Sequence, residues 1–212
     1  MIKDINCLIV DIPTIRPHKM SVATMGAQSM VIIRLLTSDG IEGIGEATTI
    51  GGLNYGGESP ESIKTNIDSY FKPLLVGKPA NQITALRKLV NKTIKDNRFA
   101  KSAIETALYD ARAKSLGISL SDLFGGRIHD SISVAWTLAS GDTKFDIAEA
   151  EELLDAKRHN IFKLKIGLRD PKDDIRHISS IKKALGDDVS IRVDINQGWS
   201  ETQAVRYLQA LA

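Results

Sequence analysis

The sequence predicts an α/β protein whose parallel sheet follows an N-terminal domain of α+β type. Strand and hairpin signals dominate residues 5–46, helical spacing dominates residues 60–116, and strand and helix patterns alternate after Asp130. Alternation of strand and helix indicates parallel βα units. We therefore expect two domains, with limits at residues 1–128 and 129–212.

The first strands carry a clear hairpin signal. Residues 5–12 and 29–36 are typical of strands, and Asp39-Gly40 is a strong turn signal that leads to a third strand at 41–46. We expect a small antiparallel meander with two unusually long loops. These loops, at residues 13–28 and 47–57, are of a length that is often functional on a compact sheet.

Helical signals begin at Ser59, a suitable N-cap, and Pro60, which suits the first helical position. The spacing of apolar residues then predicts three helices. A stripe of small residues on the third helix permits close packing, and Gly117 fits the position that ends it. The predicted helices cover residues 60–75, 81–95 and 100–116, and a short turn follows at 121–124.

Strands and helices alternate in the remainder of the chain. We count three βα units, whereas a closed (β/α)8 barrel has eight and commonly needs ~250 residues. The segment is therefore either a small open sheet or part of a barrel. The predicted strands are 132–138, 162–166 and 189–195, and the predicted helices are 144–159, 171–185 and 201–211.

Two of these strands carry polar side chains on a single face. Positions two apart in a strand share a face, so Lys163 and Lys165 point away from the apolar residues of their strand. Asp194 and Asn196 share a face of the next strand in the same way. The carboxyl ends of neighbouring parallel strands meet at one edge, where α/β folds bind ligands. We expect these four side chains to converge there.

The paired lysines have a chemical and a structural interpretation. Alternating lysines also occur on solvated edge strands, and the pattern alone leaves that alternative open. A buried lysine beside another cation has its ammonium form disfavoured, which brings its pKa toward neutrality and suits it as a general base. Asp194 would suit a divalent metal, although Mg²⁺ and Mn²⁺ prefer several oxygen ligands.

Charge and composition exclude several other classes. Lys and Arg number 28 against 26 Asp and Glu, and no basic run exceeds a pair, so we expect no nucleic-acid partner. No apolar stretch approaches the ~20 residues of a membrane helix. The single Cys7 excludes an internal disulfide, and the apolar run near the N-terminus is too short for a signal-peptide core. We therefore expect a cytoplasmic protein without a membrane partner.

Six segments of the chain carry a resemblance to a known family: residues 14–19, 45–53, 55–56, 134–142, 162–167 (Phe-Lys-Leu-Lys-Ile-Gly) and 193–197 (Val-Asp-Ile-Asn-Gln). They resemble the muconate-lactonizing branch of the enolase superfamily, and the resemblance extends over essentially the whole chain. The resemblance implies an enolase-like cap domain followed by the first three βα units of a (β/α)8-type barrel.

The resemblance also implies an activity and a cofactor. Relatives of this kind convert cis,cis-muconate reversibly into muconolactone in catechol degradation, through an enolate intermediate held by Mn²⁺ or Mg²⁺. By analogy Lys165 is the acid/base lysine, Lys163 lowers its pKa, and Asp194 is the first of three carboxylate metal ligands. Asn196 would contact the substrate, a small dicarboxylate. We expect a homo-oligomer at full length.

The loop at 47–57 matches the lid of this family, in which Ile50 and Tyr55 would lie over the substrate. Glycines at both ends of the loop suit a hinged flap, although a glycine-rich connector has the same composition. The remaining metal-ligating acids of the family correspond to positions beyond Ala212. We therefore expect the 212-residue chain to bind metal poorly and to show little activity.

Other interpretations stay open at this point. The chain could belong to another enolase-superfamily enzyme, of the dipeptide epimerase or acyl-amino-acid racemase type, or be a non-catalytic fragment that acts as an assembly module. His18 and Lys19 are expected in an exposed basic loop, and Trp136 in the core. His129, His159 and His177 lack ligand-like spacing and are expected on the surface.

Overall fold

The structure, a computed structural model, describes residues 1–21 and 23–211. They separate into two units, and the first contains Met1–Pro13 and Ala27–Ile128 while the second contains Thr14–Gly26 and His129–Ala212. The division into domains at residues 1–128 and 129–212 stays a prediction. In the structure, residues 14–26 group with the second unit rather than with the first. No helix of the described part is long and apolar enough to cross a membrane.

The N-terminal sheet has the order β1-β2-β3. Strand β1 is Ile2–Lys19, β2 is Thr24–Thr37 and β3 is Glu42–Thr48. β2 and β3 pair antiparallel around the expected turn, where Gly40 adopts a φ of +84°. This part of the meander is confirmed.

The expectation of a long loop at residues 13–28 is wrong. β1 continues to Lys19 and β2 already begins at Thr24. Pro13 and Pro17 lie in this segment, and proline cannot donate a ladder hydrogen bond. Both are exposed and lie on β1, an edge strand, where this loss is tolerated.

Helices follow β3 in the first unit as expected, with one interruption. A π-helical turn, Ile67–Phe71, divides the predicted first helix, and Pro73 lies just after it. A proline ring crowds the carbonyl four residues earlier, and the wider turn relieves that clash. The helices are α1 Pro60–Asn66, α2 Lys72–Leu75, α3 Ile83–Thr93, α4 Arg98–Leu116 and α5 Leu120–Leu123.

α4 packs closely on β3 through small residues. Gly43 and Gly45 are buried on β3, and a Cβ atom at either position would overlap a backbone carbonyl of α4. The stripe of alanines expected on α4 makes this approach possible. Gly117 ends the helix with a φ of +66°, as expected. The stripe consists of Ala103, Ala107 and Ala111, each no more than 3% exposed.

The second unit contains three βα units on a parallel sheet of order β4-β5-β6, which confirms the expected α/β class. β4 is shorter than expected, because Ile132 and Val134 lie outside it and are 79% and 67% exposed. The elements are β4 Trp136–Leu138, α6 Thr143–Asp155, β5 Ile161–Lys165, α7 Pro171–Leu185, β6 Ser190–Asp194 and α8 Glu201–Leu208.

The core of the second unit lies between β5 and the helices. Phe162 and Leu164 are fully buried on one face of β5, so the expected alternation is confirmed. His177 on α7 is only 3% exposed, and the expectation that it lies on the surface is wrong. Trp136 is half-buried rather than fully in the core, and its ring centroid lies 5.1 Å from that of His159.

Candidate active site

The polar faces of β5 and β6 meet at the carboxyl edge of the parallel sheet. The two strands pair in register, with Lys163 opposite Arg192 and Lys165 opposite Asp194. The backbone N–H of Ile166 continues this pairing by donating to the Asp194 carbonyl at 3.1 Å. The edge therefore brings the two lysines and Asp194 together.

Lys165 is the most enclosed of these groups, with a side chain 7% exposed. Its Nζ donates to Asp194 Oδ2 and to Asn196 Oδ1, each at 2.8 Å. Lys163 is 35% exposed and its Nζ lies 3.4 Å from the same Asp194 oxygen. The four expected site residues thus form one connected cluster, although Asn196 lies two residues beyond the end of β6 rather than on its face as expected.

Asp194 is held in its charged form by these neighbours. Burial raises the pKa of its carboxyl, but hydrogen bonds from Lys165 and from the backbone N–H of Asn196 outweigh burial, so this pKa lies below its ordinary value of 3.8. The carboxylate therefore compensates the charge of the lysines at neutral pH.

We expect Asp194 to stabilise the folded chain at neutral pH and to lose this contribution in acid. Because its pKa is lowered on folding, the contribution is complete above 3.8 and is gone once the pH has fallen through the lower folded-state pKa. Asp194→Asn should therefore reduce the fall in unfolding free energy between about pH 6 and about pH 3, measured by urea unfolding. The control is Asp188→Asn, at an exposed carboxylate. An equal fall in both variants would contradict the expectation.

Asn196 occupies a backbone conformation that few residues other than glycine adopt. Its φ is +44°, it is 7% exposed, and its N–H donates to Asp194 Oδ1 at 3.0 Å. The Ser21 hydroxyl lies 2.7 Å from the Asn196 carbonyl oxygen and 3.1 Å from that of Ile195, and donates to them. Strained backbone of this kind is kept where surrounding contacts define it, often at functional sites.

A half-buried ion pair ties Arg16 on β1 to Glu149 on α6, within the second unit. The guanidinium of Arg16 donates to both carboxylate oxygens of Glu149 at 2.9 Å and to the Thr137 carbonyl at 2.8 Å. Trp136 Nε1 donates to the same carboxylate at 3.1 Å. A two-pronged arginine–carboxylate contact constrains orientation as well as distance.

This arrangement brings His18 into the electrostatic neighbourhood of the lysine pair. Burial lowers the pKa of the His18 imidazole, and the positive charges of Lys165, Arg16 and Lys163 lower it further, against a smaller opposing effect of Asp194. The expectation of an exposed basic loop missed this. The available signal was the spacing of two between Arg16 and His18, which lie on one face of β1 and are both half-buried, whereas Pro17 between them is exposed.

Asp194 fits one ligand position of a divalent metal, but the described residues do not complete a site. Among residues 1–21 and 23–211, no group of three His, Cys, Asp or Glu side chains could hold a metal ion. Asp194 is also engaged by both lysines. One carboxylate falls short of the several oxygen ligands that Mg²⁺ and Mn²⁺ require.

Ile50 and Tyr55 lie in the first unit, on the connection between β3 and α1. Both are half-buried. Gly51 and Gly52 take positive φ values of +60° and +66°, and a Cβ at Gly56 would come within 2.7 Å of the Phe99 ring. The positive φ values favour glycine at residues 51 and 52, whereas contact of Ile50 and Tyr55 with a substrate stays a prediction.

Two family models match the chain. Residues 4–125 match the family described as mandelate racemase / muconate lactonizing enzyme, N-terminal domain. Residues 146–212 match the family described as enolase C-terminal domain-like. Together the two matches include the antiparallel sheet, the helices that cover it, and the strands that carry the lysine cluster.

Relatives with high sequence identity span the whole chain. Muconate cycloisomerase 1 of Acinetobacter baylyi is 56% identical over 212 residues, which are 100% of this chain and 57% of that protein. A chloromuconate cycloisomerase of Cupriavidus necator is 48% identical over 99% of this chain and 56% of that protein. The chain therefore spans little more than half the length of these relatives.

Solved structures of muconate lactonizing enzymes are also similar to the whole of this chain and are likewise longer than it. Muconate lactonizing enzyme from Pseudomonas fluorescens, complexed with muconolactone, superposes with a TM-score of 0.97 at 56% identity, over 99% of this chain and 57% of that one. The enzyme from Pseudomonas putida gives a TM-score of 0.93 at 53% identity, over 100% of this chain and 56% of that one.

Proposed function

We propose, since this chain belongs to the mandelate racemase/muconate lactonizing enzyme family, that it forms the lysine-bearing wall of a muconate cycloisomerase active site. The reaction is the interconversion of cis,cis-muconate and muconolactone through an enolate, in catechol degradation. The single observation that carries the proposal is the enclosed Lys165 ammonium, hydrogen-bonded to Asp194 and Asn196 at the sheet edge. The names and high identity of the relatives favour this reaction over epimerisation or racemisation.

Lys165 is the group that moves the proton. In the direction of the lactone, the distal carboxylate of muconate closes the ring and leaves an enolate, and Lys165 donates a proton to the carbon next to the other carboxylate. In the reverse direction Lys165 removes that proton and the ring opens. Its low exposure keeps water from competing for the enolate.

Lys163 and His18 bind and orient the substrate dianion. Lys163 is more exposed than Lys165, and its charge offsets that of the carboxylate next to the reacting carbon. His18 has a lowered pKa, so the neutral imidazole offers one N–H to a substrate oxygen without adding a third full positive charge. Asn196, Ile50 and Tyr55 are proposed as further substrate contacts.

Asp194 is proposed as one ligand of a divalent metal ion, Mn²⁺ or Mg²⁺. Such an ion stabilises negative charge as the enolate develops. The described residues contribute a single carboxylate to it, so further ligands must come from outside them. We also propose that the protein acts in the cytoplasm and as a homo-oligomer.

The test is conversion of cis,cis-muconate with added Mn²⁺ by two preparations, the 212-residue chain and the product of the full reading frame that encodes it. Loss of muconate is followed by its ultraviolet absorbance, and formation of lactone by chromatography. We expect turnover by the full product and little turnover by the 212-residue chain, because the latter supplies only one carboxylate to the metal. Full turnover by the 212-residue chain alone, or none by the full product, would contradict the proposal.

A second candidate substrate is a chlorinated muconate, because a chloromuconate cycloisomerase is 48% identical to the chain. Both candidate substrates are dicarboxylates that the lysine cluster would bind, and they differ in the chlorine atom that the pocket must accommodate. Comparing kcat/KM for muconate and for chloromuconate in the same preparation decides between them. The higher identity to the muconate enzyme favours muconate.

A further inference from the structure

Two successive helices of the second unit begin with the same arrangement of aspartates. Asp142 caps α6 by accepting from the Phe145 N–H at 2.9 Å, and Asp170 caps α7 by accepting from the Lys172 N–H at 2.9 Å. Four residues after each cap stands a second aspartate, Asp146 or Asp174. Both of these carboxylates are fully buried, with side chains 1% exposed.

Asp174 reaches from α7 back to the loop that follows β5. Its Oδ2 accepts the backbone N–H of Gly167 at 2.8 Å, and its Oδ1 lies 3.3 Å from Arg169 Nε. Gly167 stands two residues after Lys165 in the chain. The carboxylate therefore holds the end of the strand on which the lysine stands.

Gly167 is constrained from its other side as well. Its φ is +97°, and a Cβ at this position would lie 2.8 Å from the carbonyl oxygen of Ile195. The loop after β5 thus touches the loop after β6, which carries Asn196. The Asp174 carboxylate therefore holds the Gly167 N–H at a point where the Ile195 carbonyl leaves no room for a side chain, so that only glycine fits where the two loops meet.

Asp146 makes the corresponding contact one βα unit earlier. Its Oδ1 accepts from the Ser140 hydroxyl at 2.5 Å and from the Ser140 N–H at 3.3 Å, and Ser140 stands two residues after the end of β4. His177 Nε2, on α7, lies 3.4 Å from the other oxygen of Asp146. The third helix departs from the pattern, since Ala204 occupies the fourth position of α8.

Burying a carboxylate costs free energy because the charged group loses its hydration, unless hydrogen bonds and opposite charges replace the lost water. Burial raises the pKa of the Asp174 carboxyl, against the effects of the Gly167 N–H, Arg169 and His177. Among the described residues, Asp174 Oδ1 and Asp146 Oδ2 have only longer contacts, with Arg169 Nε at 3.3 Å and His177 Nε2 at 3.4 Å. An apolar residue at either position would avoid this cost but could not hold the loop N–H.

We propose that Asp174 is a positioning residue for Lys165, acting through the Gly167 N–H, and that Asp146 holds the loop after β4 by the same device. The part that concerns catalysis rests on the proposed function. The structural part does not, because it states only that the Asp174 carboxylate fixes Gly167 and, through it, the Lys165 ammonium against Asp194 and Asn196.

The test compares Asp174→Ala, which removes the acceptor, with Asp174→Asn, which keeps a carbonyl oxygen that can accept the Gly167 N–H. The matched control is Asp173→Ala, next in sequence, whose exposed carboxylate pairs only with Arg176 among the described residues. In the 212-residue chain, we expect Asp174→Ala to raise amide exchange at Gly167 by about ten-fold or more. It should also shift the Lys165 Nζ resonance in ¹⁵N-lysine spectra. Asp174→Asn should keep most of the Gly167 protection, and the control should match the parent.

The second readout uses the full reading frame. If Asp174 positions Lys165, Asp174→Ala should lower kcat by about 10- to 100-fold and change KM much less, because binding groups stay while the proton-transferring group is displaced. Asp174→Asn should restore much of kcat. If the parent protein shows no turnover of muconate, the proposed function is wrong. The amide exchange at Gly167 and the Lys165 resonance still test whether Asp174 positions Lys165.

Two results would overturn the proposal. The first is unchanged Gly167 exchange and an unchanged Lys165 resonance in Asp174→Ala. The second is found in Asp174→Asn. If Asp174→Ala raises exchange equally at all amides, its effect is a general loss of stability, and the Asn variant must then be used to test positioning. In that variant a protected Gly167 with the parental Lys165 signal supports positioning, whereas a displaced Lys165 signal despite a protected Gly167 contradicts it.

Discussion

Replacing Lys165 by methionine should lower turnover of muconate by roughly 10²- to 10⁴-fold, the range that a positioned acid/base group contributes. The methionine side chain has a volume similar to that of lysine but carries no group that can donate or accept the proton. The change also removes the nearest cation from Asp194 and the donor to Asn196 Oδ1. Activity is measured on the full reading frame with Mn²⁺, alongside circular dichroism to confirm folding.

The control for this variant is Lys183→Met, at an exposed lysine on α7. It removes the same charge from the same unit and should leave turnover close to that of the parent. Lys163→Met should fall between the two, with part of its effect in KM, because Lys163 offsets substrate charge without transferring the proton. Equal loss in Lys183→Met and Lys165→Met would show a general charge effect and contradict the assignment.

The largest loss of stability is expected from Gly45→Ala in the first unit. A Cβ at this position overlaps the Ala103 carbonyl oxygen of α4, which is backbone and cannot rotate away. The helix must therefore shift, and overpacking of this kind costs roughly 1–3 kcal/mol or more. The free energy of unfolding in urea measures the loss.

Gly57→Ala is the matched control for stability. Gly57 is exposed in the same unit, and a Cβ there meets no atom within 4 Å. It should leave the unfolding midpoint nearly unchanged. If Gly45→Ala unfolds at the same urea concentration as Gly57→Ala, then β3 and α4 do not pack as closely as the structure indicates.

The features that could be predicted from the sequence depend on local pattern. Period-two alternation predicted that Lys163, Lys165 and Asp194 share a face, because the face of a side chain in a strand follows from its parity. It does not account for Asn196, which lies beyond the end of β6 with a φ of +44°. Asp39-Gly40 located the β2–β3 turn, since the glycine supplies a φ of +84°. The alanine stripe of α4 predicted close packing, although not that the facing residues would be the glycines of β3.

The features that could not be predicted depend on tertiary neighbours. Residues 13–28 were expected to form a loop, and the edge position of β1 is what makes Pro13 and Pro17 compatible with a strand there. His177 and Asp174 are charged or polar residues whose burial follows from partners on other elements, here Asp146 and Gly167. No spacing in the sequence reveals those partners.

Proton exchange at the carbon next to the muconolactone carboxylate tests the central claim most directly. Lactone is incubated in D₂O with Mn²⁺ and the full reading frame, and deuterium at that carbon is followed by NMR, for the parent and for Lys165→Met. The claim that Lys165 moves this proton predicts deuterium at a single face in the parent and at least about 10²-fold slower exchange in the variant. Undiminished exchange in Lys165→Met would contradict it.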